Sequence, residues 1–183
     1  MPGTPSESPN LLNHPDQVAL CAGRMYWIAL VLTDNENVAA TLTRKASELL
    51  PPRDHAFNPR LENWICRMAI KACIALQRRQ LVADQRDRIS WEEETQALQL
   101  EPLELVNNLS MTSIEHAIRS LPPLPRFMFI MRTLNRFSVQ EAAEMMGLPV
   151  ITCEAAGKYA LVSLTREVQS CDLTSWVTTH KFA

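Results

Sequence analysis

The sequence lacks most of the features that announce chemistry. Its four glycines build no phosphate-cradling loop, and no G-x-S-x-G or H-E-x-x-H pattern gathers its Ser, His and acidic residues into a catalytic set. An enzyme is therefore not expected, nor a small-molecule substrate. The five cysteines (Cys21, Cys66, Cys73, Cys153, Cys171) include no CxxC pair, and His14, His55, His116 and His180 are scattered. Each cysteine falls on or beside a helical apolar stripe, which indicates buried free thiols in a reducing, cytoplasmic compartment rather than a disulfide framework or zinc site. No metal or cofactor is expected. No apolar run reaches the roughly 18 residues of a membrane span, and MPGTPSESPN has neither the basic start nor the apolar centre of a secretory signal. A positive excess is missing too: 18 Lys and Arg against 20 Asp and Glu give a net charge of −2. Any contact with nucleic acid must then be local.

What is present favours helices. Hydrophobic residues make up 46% of the 183, helix formers abound, and no alternating β-branched run marks a strand, so the fold class is all-α, with material for one ordinary domain or two small ones. Residues 1–14 are rich in Pro, Ser and Asn and read as a disordered tail. Asp16 is placed to cap a helix with Val18, Cys21, Ala22, Met25, Ile28, Ala29 and Leu32 on one side, ending at Leu32-Thr33-Asp34. A second helix carries Val38, Leu42, Ala46 and Leu49 and is stopped by Pro51-Pro52. After a loop at 53–60 comes the strongest periodicity: Leu61, Trp64, Ile65, Met68, Ala69, Ala72 and Leu76, which places Trp64 in a core. Three such helices close a small bundle over 15–80. The stretch 81–111 carries Glu92, Glu93, Glu94, Glu101 and Glu104 with weak periodicity, and reads as a solvated linker holding one short helix at most.

The best-specified stretch is 138–168. Val139, Ala142, Ala143 and Met146 share one helical face, with Ser138 as N-cap and Glu141 completing a capping box. Gly147 stands where a left-handed residue would stop that helix, and Pro149 bars continuation while suiting the start of the next near Val150. Ala143, four residues before Gly147, is the small side chain that a close helix crossing needs. The pattern is a helix-turn-helix.

IEHAIRSLPPLPRFMFIMRTLNRFSVQEAAEMMGLP resembles region 4 of the bacterial RNA polymerase sigma factors, through Leu121-Pro122, Arg126, Phe129, Arg132, Ser138, Glu141-Ala142-Ala143 and Gly147. MYWIALVLTDNENVAATLTRKASELL and ENWICRMAIKACIALQRRQ resemble sigma region 2. Order and spacing match the short extracytoplasmic-function (group 4) sigma factors of the sigma-70 family. The resemblance implies a region 2-like domain at 15–80, a linker at 81–111, a region 4-like domain at 112–170 and an extension at 171–183. It further implies an alternative sigma factor that binds core RNA polymerase and promoter DNA, and that is held by an anti-sigma factor.

DNA binding requires cations against phosphates and side chains that reach bases. Arg67, Lys71, Arg78 and Arg79 make the polar side of the 61–80 helix basic, which the resemblance assigns to the −10 element. In the second helix of the helix-turn-helix, Thr152, Glu154, Ala155, Lys158 and Tyr159 are the positions expected to face out toward a −35 element. That helix departs from its family: Lys158 and Arg166 are balanced by Glu154 and Glu167. The polymerase-facing surface would comprise Thr41, Arg44, Lys45 and Glu48, and here Thr41, Arg44 and Lys45 stand where the family pattern has acidic residues and Gln. These departures motivate a rival expectation, a sigma-like interaction module that binds an anti-sigma factor or other regulator and leaves promoters alone. A helix-turn-helix regulator unrelated to sigma factors is the third.

Overall fold

The computed structural model describes residues 14–48, 59–97 and 111–180, all of it helix and connecting turns. Eight α-helices follow one another: α1 (His14–Thr33), α2 (Glu36–Glu48), α3 (Pro59–Asp84), α4 (Arg88–Ala97), α5 (Met111–Ser120), α6 (Pro123–Phe129), α7 (Val139–Met146) and α8 (Val150–His180). The tail, Leu49, the Pro51-Pro52 stop, residues 53–58, Glu101, Glu104 and the last three residues lie outside the described residues.

The first bundle closes through a tight corner. Asp34 takes a left-handed backbone at φ 51° and its N–H reaches the Leu30 carbonyl at 2.8 Å. Asn35 then caps α2, its Oδ1 accepting the Val38 N–H at 3.0 Å, so α2 packs back against α1. Asp16 lies inside α1 rather than at its cap, because the helix already begins at His14.

Helix α3 differs from its expected orientation. Its buried residues are Ile65, Cys66, Ala69, Ile70, Cys73, Ile74 and Leu81, while Trp64 is 44% exposed and Met68 and Leu76 also face solvent. A stripe read against one neighbour would hold Trp64 inside. The helix instead touches α1 and α2 along one flank and α6 and α7 along the other, which rotates its buried sector toward Cys66, Ile70 and Cys73.

One apolar cluster therefore joins the two halves of the chain. It runs from Ile28 and Leu32 through Ile70 and Cys73 to Phe127, Met131, Ala143 and Ala156. Phe127, Met128, Ile130 and Met131 are fully buried, as their apolar run requires. The stretch expected to be a solvated linker packs one side of its described part against the rest of the chain while most of its residues stay exposed. Helix α3 continues to Asp84, a single 3-10 turn follows, and α4 docks on α8 with Leu81 and Trp91 buried. Weak periodicity hid this because Trp91 is the one large residue of α4 that turns inward, whereas Ile89 points out.

The chain between α5 and α6 reads Leu121-Pro122-Pro123-Leu124-Pro125, and its physics depends on missing donors. The carbonyls of Arg119 and Leu121 have prolines at the positions whose N–H groups would normally reach back to them. Arg126 supplies the donors: Nε and Nη2 to the Leu121 carbonyl at 3.2 and 2.8 Å, and Nη2 to the Arg119 carbonyl at 2.5 Å. Its Nη1 donates to the Val31 carbonyl, 3.1 Å away in the last turn of α1. A single cation thus caps the carboxyl ends of two helices, where their dipoles favour positive charge. Across the same seam, Asp84 Oδ2 accepts the Leu124 N–H at 3.0 Å at the start of α6, steadied by Gln80 on its other oxygen.

Candidate nucleic-acid interface

The helix-turn-helix forms as its sequence dictates. Ser138 Oγ accepts the Glu141 N–H at 3.1 Å, and Glu141 Oε2 accepts the Ser138 N–H at 2.9 Å, closing the capping box that starts α7. The Ser138 N–H foremost, then the Ser138 hydroxyl donating to the same oxygen at 3.0 Å and the Arg67 guanidinium on the other, hold the Glu141 carboxyl below the usual carboxylate range. Gly147 ends α7 at φ 67°, ψ 37°, with its N–H on the Glu144 carbonyl and the Leu148 N–H on the Ala143 carbonyl. Ala142 and Ala143 are buried in the crossing. Pro149 then offers its carbonyl to the N–H groups of Thr152 and Cys153, and α8 begins at Val150. It runs on without a break to His180, past the expected end of the domain.

The five positions of α8 expected to face out divide. Glu154 and Lys158 are exposed. Thr152 and Ala155 are only 2% and 6% exposed, and Tyr159 is half-buried with its ring 5.9 Å from that of Trp91. The correction has a simple cause: the side of α8 carrying Tyr159 is the side on which α4 packs, a contact between elements separated by the weakly patterned acidic stretch.

On α3, Arg67, Lys71, Arg78 and Arg79 are all exposed, in a row that also carries Trp64. Two of these arginines are already engaged by the helix-turn-helix. The Arg67 guanidinium stacks 4.4 Å over the Phe137 ring and pairs with Glu141 Oε1 at 3.3 Å. Arg78 lies over the turn, its Nη2 3.2 Å from where a side chain on Gly147 would begin. On α2, Thr41, Arg44, Lys45 and Glu48 are exposed together, and Arg44 pairs with Glu48 at 3.6 Å. Sequence reasoning missed the roles of Trp91 and of Arg126 as a cap. The donor-poor Leu-Pro-Pro-Leu-Pro run followed by an arginine was the readable signal for the latter.

Among the described residues no cluster of His, Cys, Asp or Glu is arranged to hold a metal ion, and no helix is long and apolar enough to cross a membrane. Cys21, Cys66, Cys73 and Cys153 are all buried.

Compared with known families, the segment 111–163, which spans α5 to the middle of α8, matches the one described as Sigma-70, region 4. The likeness covers residues 111–163 and does not extend to the helices before them. In region 4 terms, α7 and α8 are the helix-turn-helix and α5 and α6 its supporting pair. No curated protein matches the chain. Among solved structures, the sigma factor RpoE in complex with the anti-sigma factor NepR from Bartonella quintana is 16% identical, covering 85% of this chain and 96% of that one at a TM-score of 0.48.

Proposed function

We propose that this chain is an alternative sigma factor of the extracytoplasmic-function (group 4) kind, a non-enzymatic protein that brings core RNA polymerase to promoters. The observation that carries the reading is the capped, glycine-turned helix-turn-helix lying within a region 4 match, preceded by a helical bundle whose α3 bears a basic outer row. Residues 15–80 serve as the region 2-like domain, with Thr41, Arg44, Lys45 and Glu48 meeting polymerase and Arg67, Lys71, Arg78 and Arg79 meeting the −10 region. Residues 112–170 serve as region 4, presenting Glu154, Lys158 and Tyr159 to the −35 region. Two weak DNA contacts held on one polymerase add to a useful affinity, which offsets the zero net charge of residues 149–168. An anti-sigma factor is the expected inhibitor, and the cytoplasm the expected compartment.

The test is copurification of the tagged protein with core polymerase, followed by sequencing of the DNA retained. Polymerase with an enriched two-part promoter is the expected result, and Lys158→Ala or Arg78→Ala should weaken retention. The second reading, a sigma-like interaction module without promoter recognition, is favoured by the burial of Thr152 and Ala155 and by the charge balance of residues 149–168. Recovery of a small helical protein with no polymerase would establish it instead.

A further inference from the structure

We propose that α4 is an internal cover for the DNA-facing side of α8, which must swing away before α8 can read duplex DNA. The inference rests on α8 being the DNA-reading helix, as proposed above. Its observations are independent of that assignment.

Trp91 is buried at 4% exposure with its ring against Tyr159, and α4 as a whole packs on α8. Thr95, Gln96 and Glu92 of α4 line one wall of an open groove whose other wall is Ile151, Glu154 and Lys158, three side chains on the free edge of α8. Size then decides. A B-DNA major groove about 12 Å wide admits one helix of about 10–12 Å diameter. Two helices whose axes lie about 8–10 Å apart present nearly twice that width. With α4 alongside, α8 cannot descend to the base edges.

Charge acts in the same direction. Glu93 and Glu94 are exposed on α4 and Glu92 is half-buried beside the groove, bonded to Arg88 at 3.2 Å. Glu92 shares the groove with Lys158, and the carboxylates of this helix repel a phosphate backbone that approaches it. A partner that grips 88–97 would therefore uncover α8, coupling its own binding to DNA reading.

The experiment places cysteines on the two groove walls, Thr95→Cys with Ile151→Cys, in a Cys171→Ser background, and joins them with a short bis-maleimide. The described native thiols are buried. Retention of a pool of random 30-base-pair duplexes is compared between bridged and unbridged forms of the same protein at low salt. At least tenfold lower retention by the bridged form is expected. Equal retention, including none by either form, overturns the cover. Trp91→Ala should raise duplex retention above that of the unmodified chain, with far-ultraviolet circular dichroism to show that the helices persist. If that variant unfolds, the bridge alone decides. Polymerase binding by the unbridged form is scored separately: its absence would refute the sigma-factor reading, while the ratio of DNA retention still decides the cover.

Discussion

Replacing Arg126 by methionine removes the cation that ties the ends of α1 and α5 while keeping an apolar stem of similar length in place. The side chain makes four hydrogen bonds to three carbonyls and is 8% exposed. Burial lowers its pKa below the usual arginine value, against which Asp34 and Asp84 act in its favour. Without it, the Val31, Leu121 and Arg119 carbonyls lose their donors, and the prolines at 122, 123 and 125 cannot substitute. Each buried unsatisfied carbonyl costs about 1–3 kcal/mol. Relief of the desolvated guanidinium returns part of this, so the net loss is about 3 kcal/mol. With a urea slope of about 2 kcal/mol/M, the unfolding midpoint should fall by about 1.5 M. Arg126→Lys should fall between, since one ammonium cannot serve three carbonyls in two directions. A midpoint shift below about 0.3 M for the methionine variant would refute the double-cap account.

Other perturbations have equally defined outcomes. Ser138→Ala should cost about 1 kcal/mol in chemical denaturation through loss of the α7 cap, and Gly147→Ala about 1–2 kcal/mol because a side chain at φ 67° is strained and crowds Arg78. Glu141 has a folded pKa below its unfolded value, so its stabilisation is present above the unfolded carboxylate pKa and is lost as pH falls through the folded one. Glu141→Gln should therefore flatten the acid limb of a stability-against-pH curve, and an unchanged limb would count against the capping box as its source. Burial pushes the thiol of Cys73 up to about 12 and that of Cys153 up to about 11, so neither should react with iodoacetamide at pH 8 until urea unfolds the chain.

The helix-turn-helix was legible because its determinants are local. Ser138, Glu141, Gly147 and Pro149 act within a few residues of themselves, and the structure returns the cap and the turn they specify. The buried face of α3 was not, since packing from two sides moved it away from Trp64 and Met68, a fact that periodicity against one neighbour does not contain. The docking of α4 was hidden for a related reason: one buried tryptophan among three consecutive glutamates leaves almost no periodic signal. At the candidate site the residue types were readable and their exposure was not. Thr152 and Ala155 looked free on an isolated helix and are covered in the assembled one.

The hydrogen bonds that join the two halves also set a timetable for synthesis. The Val31 carbonyl waits for a side chain 95 residues later, Arg67 for one 74 later, and Asp84 for a backbone N–H 40 later. At about 5–20 residues per second, the end of α1 leaves the ribosome about 5–20 s before its cap exists. During that interval α1 to α3 stand with the flank of Ile70 and Cys73 uncovered, so the nascent amino-terminal bundle is the form of this protein most exposed to aggregation and to chaperones.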